Sequence, residues 1–271
     1  TYSDVFTGVA SSLIGSGTSG TCSCSNGNFN WTLAETSSGS TNWNLTIANA
    51  DTTSPTTTFS PVNGATSVAV ASNITLTFNE AVRLTNDSAL DDSNVDALIT
   101  LKENNSSGSD ISFDATINGG KTVITINPSS DFSSEQVIYV AIGTSVEDAA
   151  DNAINAANVS FTAVDTSAPT MAITSSTVTD GDTSDDSALS MTFTSSEATT
   201  DFVVGDITVS GGSLSSFAAT SSTVYTATFT PTGNGATSIE VTSNKFTDAT
   251  GNNNTASSQF NWTYQLPSPL D

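Results

Sequence analysis

Histidine is missing from this chain of 271 residues. Imidazole is the commonest general acid–base and the commonest transition-metal ligand. Its absence removes Ser-His-Asp, Cys-His and His-zinc chemistry together. An enzyme of this composition would have to work with carboxylates alone, as glycosidases do. Basic residues are scarce as well: Arg83, Lys102, Lys121 and Lys245 stand against 27 acidic residues, for a net charge of -23. Neutralising phosphate requires Lys and Arg, which argues against nucleic acid as a partner and equally against an anionic membrane surface. Such a charge favours divalent cations, or plain solubility through self-repulsion.

Long apolar runs are also lacking. Nothing approaches the roughly 18 apolar residues of a membrane span, so no membrane insertion is expected. The sequence starts at Thr1, without Met and without a basic segment followed by an apolar one. Either a signal peptide has been removed or the chain is a segment of a longer protein. Only two cysteines occur, Cys22 and Cys24, in a Cys-Ser-Cys run. Two thiols are too few for a metal centre of about four ligands. A disulfide between them would close a small, strained ring, and bonds to partner chains or to a segment outside this sequence stay equally open. The surrounding Gly, Ser and Thr place them in a loop.

What is abundant is Ser and Thr, roughly a third of the chain. Val, Ile, Thr and Phe recur in short alternating runs, the pattern of half-buried strands, and helical periodicity is almost absent. A boundary repeats: Asp51-Thr52-Thr53-Ser54-Pro55-Thr56 returns as Asp165-Thr166-Ser167-Ala168-Pro169-Thr170, 114 residues on. That spacing is the size of one Ig-like sandwich, and Pro belongs at strand starts and edges. Further landmarks keep step. Leu76 to Ala81 answers Met191 to Ala198, each an alternating strand ending in a Glu. Val146 to Asn152 answers Phe246 to Asn252, each an Asp-Ala-x-x-Asn turn before a last strand.

The strands expected in the first unit are Ala97 to Lys102, Ile111 to Ile117, Thr122 to Ile126 and Val137 to Ile142. In the second they are Phe202 to Val209, Leu214 to Ala219, Val224 to Phe229 and Ser238 to Val241. Asn118-Gly119-Gly120, Gly211-Gly212 and Gly233-Asn234-Gly235 read as hairpin turns, and Asp131 to Gln136 as one helical turn. Residues 1–50 do not fit the unit. The strands expected there lie around Val5 to Ile14, Phe29 to Ala34 and Trp43 to Ala48. An incomplete sheet of that size leaves unpaired edges and calls for a partner. The fold class is therefore all-β: an incomplete N-terminal β-module over 1–50, Ig-like sandwiches over 51–165 and 166–264, and an extended tail over 265–271.

These landmarks resemble the bacterial Ig-like modules found in tandem in surface-layer proteins and large secreted adhesins. Ser60 to Ala65, Phe78 to Val82 and Asp148 to Asn152 make residues 52–165 similar to the surface-layer variety. Phe229-Thr230-Pro231, Gly235, Phe246 to Asn252 and Phe260 to Thr263 make 166–264 similar to the variety of long secreted repeat proteins. The resemblance implies an extracellular or cell-surface location and calcium near the module junctions. The matching oxygens are Asp51, Glu80, Asp148 and Asn152 in one unit and Asp165, Glu197, Asp248 and Asn252 in the other. The plain alternative is that these Asp and Asn residues only form turns. A second acidic loop runs from Asp180 to Asp186.

Competing readings are poorer. Asp91-Asp92 and Asp185-Asp186 are adjacent pairs that cannot face each other across a sugar. Trp31, Trp43 and Trp262 could stack on carbohydrate, although Trp262 alternates with Phe260 and Tyr264 as a core strand does. Sequons, among them Asn30, Asn44, Asn73 and Asn261, are about as frequent as chance gives in so Ser- and Thr-rich a chain, so glycosylation is permitted and not indicated. The expectation is a non-enzymatic structural subunit of a filament, appendage or surface coat. Its partners would be other copies of itself or neighbouring surface proteins. An adhesin stalk, a carbohydrate-binding module and an accessory region of a larger secreted enzyme are the alternatives.

Overall fold

The computed structural model describes the backbone of residues 19–24, 27–35 and 43–49 and, with side chains, residues 51–267. No α-helix occurs among the described residues, only two 3-10 turns at Asp96–Leu98 and Val204–Asp206. The chain forms two compact units that divide between Ala163 and Val164.

Strands β1 (Ser19–Cys24), β2 (Gly27–Glu35) and β3 (Trp43–Asn49) form an antiparallel sheet in that order. The expected strand Val5 to Ile14 lies outside the described residues, as do the side chains of Trp31 and Trp43. The cysteines are not in a loop: Cys22 stands opposite Phe29 and Cys24 opposite Gly27 within β1. A pleated strand holds residues two apart at about 6.6 Å between Cα atoms, near the upper end of disulfide geometry.

The first sandwich contains β4 (Thr57–Ser60), β5 (Ile74–Phe78), β6 (Arg83–Leu84), β7 (Ile99–Glu103), β8 (Phe113–Ile117), β9 (Val123–Pro128), β10 (Val137–Ile142), β11 (Val146–Glu147) and β12 (Ala157–Thr162). One sheet runs β4-β5-β9-β8, the other β12-β10-β7, with β11 and β6 paired beside them. Period-two alternation decides which face is inside. Ile74, Leu76 and Phe78 of β5 are buried between the less buried Thr75 and Thr77, and they meet Ile124, Ile126, Ile138, Val140 and Phe161 in one core. The Asn118 hairpin forms as expected, its side-chain oxygen accepting from the N–H groups of Thr122 and Val123. Asp131 to Gln136 is not helical. Phe132 packs edge-on against Phe161, and its N–H donates to the Val70 carbonyl, which pulls the segment across the sandwich.

The second sandwich contains β13 (Met171–Ser175), β14 (Thr183–Ser184), β15 (Leu189–Ser195), β16 (Ile207–Ser210), β17 (Gly212–Ala219), β18 (Val224–Pro231), β19 (Gly235–Val241) and β20 (Phe260–Tyr264). Its sheets are β13-β15-β18-β17 and β14-β20-β19-β16. Phe202 sits at the centre of an aromatic cluster, with Phe193, Tyr225 and Phe246 around it, and Trp262 stands edge-on to Phe229 with centroids 4.6 Å apart. Trp262 is thus a core residue. Phe202 is not part of a strand reaching Val209, because the 3-10 turn at Val204–Asp206 intervenes.

Two expected hairpins are crossings between sheets. Gly211 links β16 in one sheet to β17 in the other, and 232–234 link β18 to β19 in the same way. The glycines serve a different need there. Gly211 has φ +75°, and a Cβ on Gly212 would lie 2.2 Å from the buried Phe229 ring and 2.5 Å from the Thr230 carbonyl oxygen. The real β17–β18 hairpin turns at 220–223, where side-chain hydroxyls bond the backbone instead. Gly212→Ala is expected to lower the stability of the second sandwich by about 1–3 kcal/mol through overpacking, measured as a fall in its urea midpoint with an unchanged slope.

Candidate metal centres

The same turn is built twice from one aspartate and one asparagine. In the first sandwich Asp148 Oδ1 accepts from the N–H groups of Ala150 and Asn152, and Oδ2 from the Asn152 amide. In the second, Asp248 Oδ1 accepts from the N–H groups of Thr250 and Asn252 and from the Thr250 hydroxyl, and Oδ2 from the Asn252 amide. Both turns need one residue in the left-handed region, Asp151 at φ 66° and Gly251 at φ 93°. The asparagine also reaches the preceding linker: Asn152 Nδ2 donates to the Asp51 carbonyl at 3.2 Å and Asn252 Nδ2 to the Asp165 carbonyl at 3.3 Å.

This geometry gathers the carboxylates. One oxygen from each of Asp51, Glu80 and Asp148 lies within 4.8 Å of the others, and the same holds for Asp165, Glu197 and Asp248. Linker, strand end and turn therefore bring together three acids in each unit, which accounts for all six acidic residues offered as calcium ligands. Asn152 and Asn252 join them chiefly as braces, their amide nitrogens facing the turn aspartate and the linker. The donor set is carboxylate oxygen, with hydroxyls and carbonyls alongside and neither imidazole nor thiolate. That chemistry suits a hard cation such as Ca²⁺, which takes about six to eight oxygens.

Burial pushes the Asp248 carboxyl up, but the hydrogen bonds from Asn252 and Thr250 outweigh it and hold the group at about 2. Burial acts on Asp148 in the same sense, and the bonds from Asn152 and Ala150, helped by the charge of Arg83, keep it below the ordinary aspartate range. Both turn aspartates are therefore ionised at neutral pH although almost wholly buried.

A third acidic group, Asp87, Glu147 and Asp151, is filled from within. Arg83 pairs with Asp87 at 2.7 Å, with the buried Glu147 at 3.3 Å and with Asp151. The second sandwich makes the corresponding tie without a cation. Asp201 accepts from the backbone and hydroxyl of Thr247 and from the Thr199 hydroxyl. Sequence reasoning missed both ties, although a single arginine and the Glu147-Asp148 dipeptide were available signals.

The other acidic candidates have structural duties. Asp92 and Asp96 accept from the N–H groups of Ile117 and Ala115 on the outer side of β8, and Asp91 accepts from Ser93. The loop from Asp180 to Asp186 covers β20: Asp180 accepts from the Asn261 N–H, and Thr183 and Ser184 pair with Thr263 and Tyr264. Among the predicted sequons, Asn73 and Asn261 are exposed, while the side chains of Asn30 and Asn44 lie outside the described residues.

Replacing Asp248 by Ala removes the charged acceptor of the Thr250 and Asn252 donors and should cost about 1–3 kcal/mol at pH 7. Its lowered pKa gives a contribution that is full above the ordinary aspartate value of 3.8 and lost as pH falls through about 2. Asp248→Asn should flatten that acid limb in a pH series of urea unfolding curves.

A family described as bacterial Ig-like domain matches residues 51–163, and a second family of the same description matches residues 165–264. No characterised protein matches the chain by sequence search. Among solved structures, the N-terminal part of the bacterial S-layer protein SbsC is similar at 13% identity and a TM-score of 0.29, over 78% of this chain and 44% of that one. The chain thus spans less than half of that structure's length. InvD of Yersinia pseudotuberculosis is similar at 15% identity and a TM-score of 0.31, over 80% and 60% of the two chains. The I67–I69 fragment of titin gives 7% identity and a TM-score of 0.34, over 94% and 84%.

Proposed function

Because the chain belongs to the bacterial Ig-like domain family, with two such domains in tandem, we propose that it is a non-catalytic structural protein of the cell exterior, a subunit of a filament, appendage or surface coat in which Ca²⁺ stiffens the entry to each sandwich. Bacterial Ig-like domains usually belong to surface or extracellular proteins, and no helix among the described residues is long and apolar enough to cross a membrane. One observation carries the reading. Two sandwiches matched by different families assemble the same constellation of linker aspartate, strand-end glutamate and turn aspartate. A cation held there would join the incoming linker to the sandwich it leads into. The chain would then enter each sandwich in a fixed direction.

The absence of histidine and the backbone-capping duties of Asp91, Asp92 and Asp96 support a non-catalytic role. A carbohydrate platform finds less support, since no aromatic side chain with described surroundings is fully exposed and Trp262 is core. An adhesin stalk would use the same stiffened linkers without self-assembly.

Electron microscopy of the native material, with and without a chelator, is the test. Fibres or sheets that dissolve on chelation are expected; isolated particles under both conditions would sink the filament reading and leave the stalk. Calcium at about 100 times its dissociation constant should add about 2.7 kcal/mol per filled site, read as a rise in melting temperature that Asp148→Asn and Asp248→Asn each reduce.

A further inference from the structure

Cys22 and Cys24 belong to neither sandwich and are the only thiols of the chain. Both stand in β1, which forms one edge of the three-stranded sheet among the described residues. Register fixes which backbone groups β1 turns towards β2. Cys24 lies opposite Gly27, so only two residues join the strands, and the pair that closes so short a hairpin is hydrogen-bonded. Antiparallel alternation then turns the N–H and C=O groups of Cys24, Cys22 and Gly20 to β2. Those of Ser23, Thr21 and Ser19 turn to the other side.

A strand added on that side would bond through Ser23 and Thr21 and meet both cysteine positions as non-hydrogen-bonded pairs. Facing residues of such a pair have Cβ atoms about 4.5 Å apart. A disulfide needs about 3.5–4.5 Å between Cβ atoms. Within one pleated strand, residues two apart project in parallel from the same face, so their Cβ atoms keep the strand spacing of about 6.6 Å. The strand geometry therefore disfavours a bond from Cys22 to Cys24 of the same chain and favours one to a facing strand.

One register uses every thiol. Two copies of β1 related by a two-fold axis through Ser23 set Cys22 opposite Cys24 of the second copy, and Cys24 opposite its Cys22. An axis through Cys22 or Cys24 would leave one cysteine of each chain facing another residue type. Charge favours a meeting in this part of the chain. Asp4 and Glu35 are the only charged residues of 1–50, whereas the chain as a whole carries -23, so two copies repel each other least here. We propose that β1 joins two copies of the chain, antiparallel about Ser23, and that a pair of Cys22–Cys24 disulfides locks the contact. The inference rests on the self-assembly reading above and supplies one contact for it. A two-fold contact closes on itself, so growth of a fibre would use a second surface.

The oxidant is a low-molecular-weight disulfide, as expected outside the cell. The Cys22 thiolate attacks one of its sulfurs, a mixed disulfide forms, and one small thiolate leaves. Cys24 of the second copy, as thiolate, then attacks the Cys22 sulfur and expels the other small thiolate. The two protons lost by the cysteines end on the two small thiols. The second inter-chain bond forms in the same way.

The test uses the full chain with oxidised glutathione. The unaltered chain should give a covalent dimer on a non-reducing gel, dispersed by reductant. In Cys22→Ser and in Cys24→Ser the remaining cysteine faces Ser in the proposed register, so neither variant alone should dimerise. An equal mixture of the two restores one facing pair. It should give about tenfold more cross-linked product than either variant by itself, because pairing in register raises the effective concentration of the thiols. An internal Cys22–Cys24 bond in a monomer, thiols that end only as glutathione adducts, or equal cross-linking in the mixture and the separate variants would overturn the proposal. Fibres whose thiols stay free under the oxidant would overturn it while leaving the filament reading intact. A disulfide-linked dimer that never grows into fibres would uphold the contact and sink the filament reading.

Discussion

A buried, ionised aspartate holds each sandwich to the segment that leads into it. Asp148 and Asp248 are 2% and 7% exposed, a placement that is costly for a charge without partners. Turn amides and one asparagine satisfy them. The turn can then close only in one conformation, with a left-handed residue just before the asparagine. That asparagine is the piece that catches the linker carbonyl. Remove the carboxylate and the turn, the linker tie and the acidic cluster lose their common anchor together.

The chain's large negative charge sets a second constraint, which is how to distribute carboxylates without unfolding. Many described carboxylates are committed to local bonds: capping the outer N–H groups of β8, closing the Asp180 loop over β20, or bracing Thr247 through Asp201. Arg83 compensates three more. What remains at the head of each sandwich is a convergent oxygen cluster, where a divalent cation would offset mutual repulsion. Edge protection and the proposed cation binding thus draw on the same acidic composition, and they differ in whether backbone N–H groups or other carboxylates face the acid.

The architecture was largely legible before any coordinates. Strict alternation in Ile74 to Phe78 and in Leu189 to Ser195 declares which side chains go inside, because a pleated strand has a period of two. The repeated Asp-Thr-x-x-Pro-Thr boundary declares two units. Glycine pairs misled, since Gly211-Gly212 signals a special backbone and close packing without saying whether the chain turns back or crosses to the other sheet. Phe202 misled for a related reason: an aromatic residue in an apolar run marks the core, yet here it enters from a 3-10 turn.

The sequence by itself determined the fold class and carried the repeated motif whose six acids gather at the turns, because these follow from local periodicity and from fixed spacing. Only the tertiary structure decided which acids face one another and which face backbone amides. It also decided that Arg83 fills one acidic group. Those are consequences of residues far apart in the chain brought within hydrogen-bonding distance, and no local pattern encodes a distance between strands that are not neighbours in sequence.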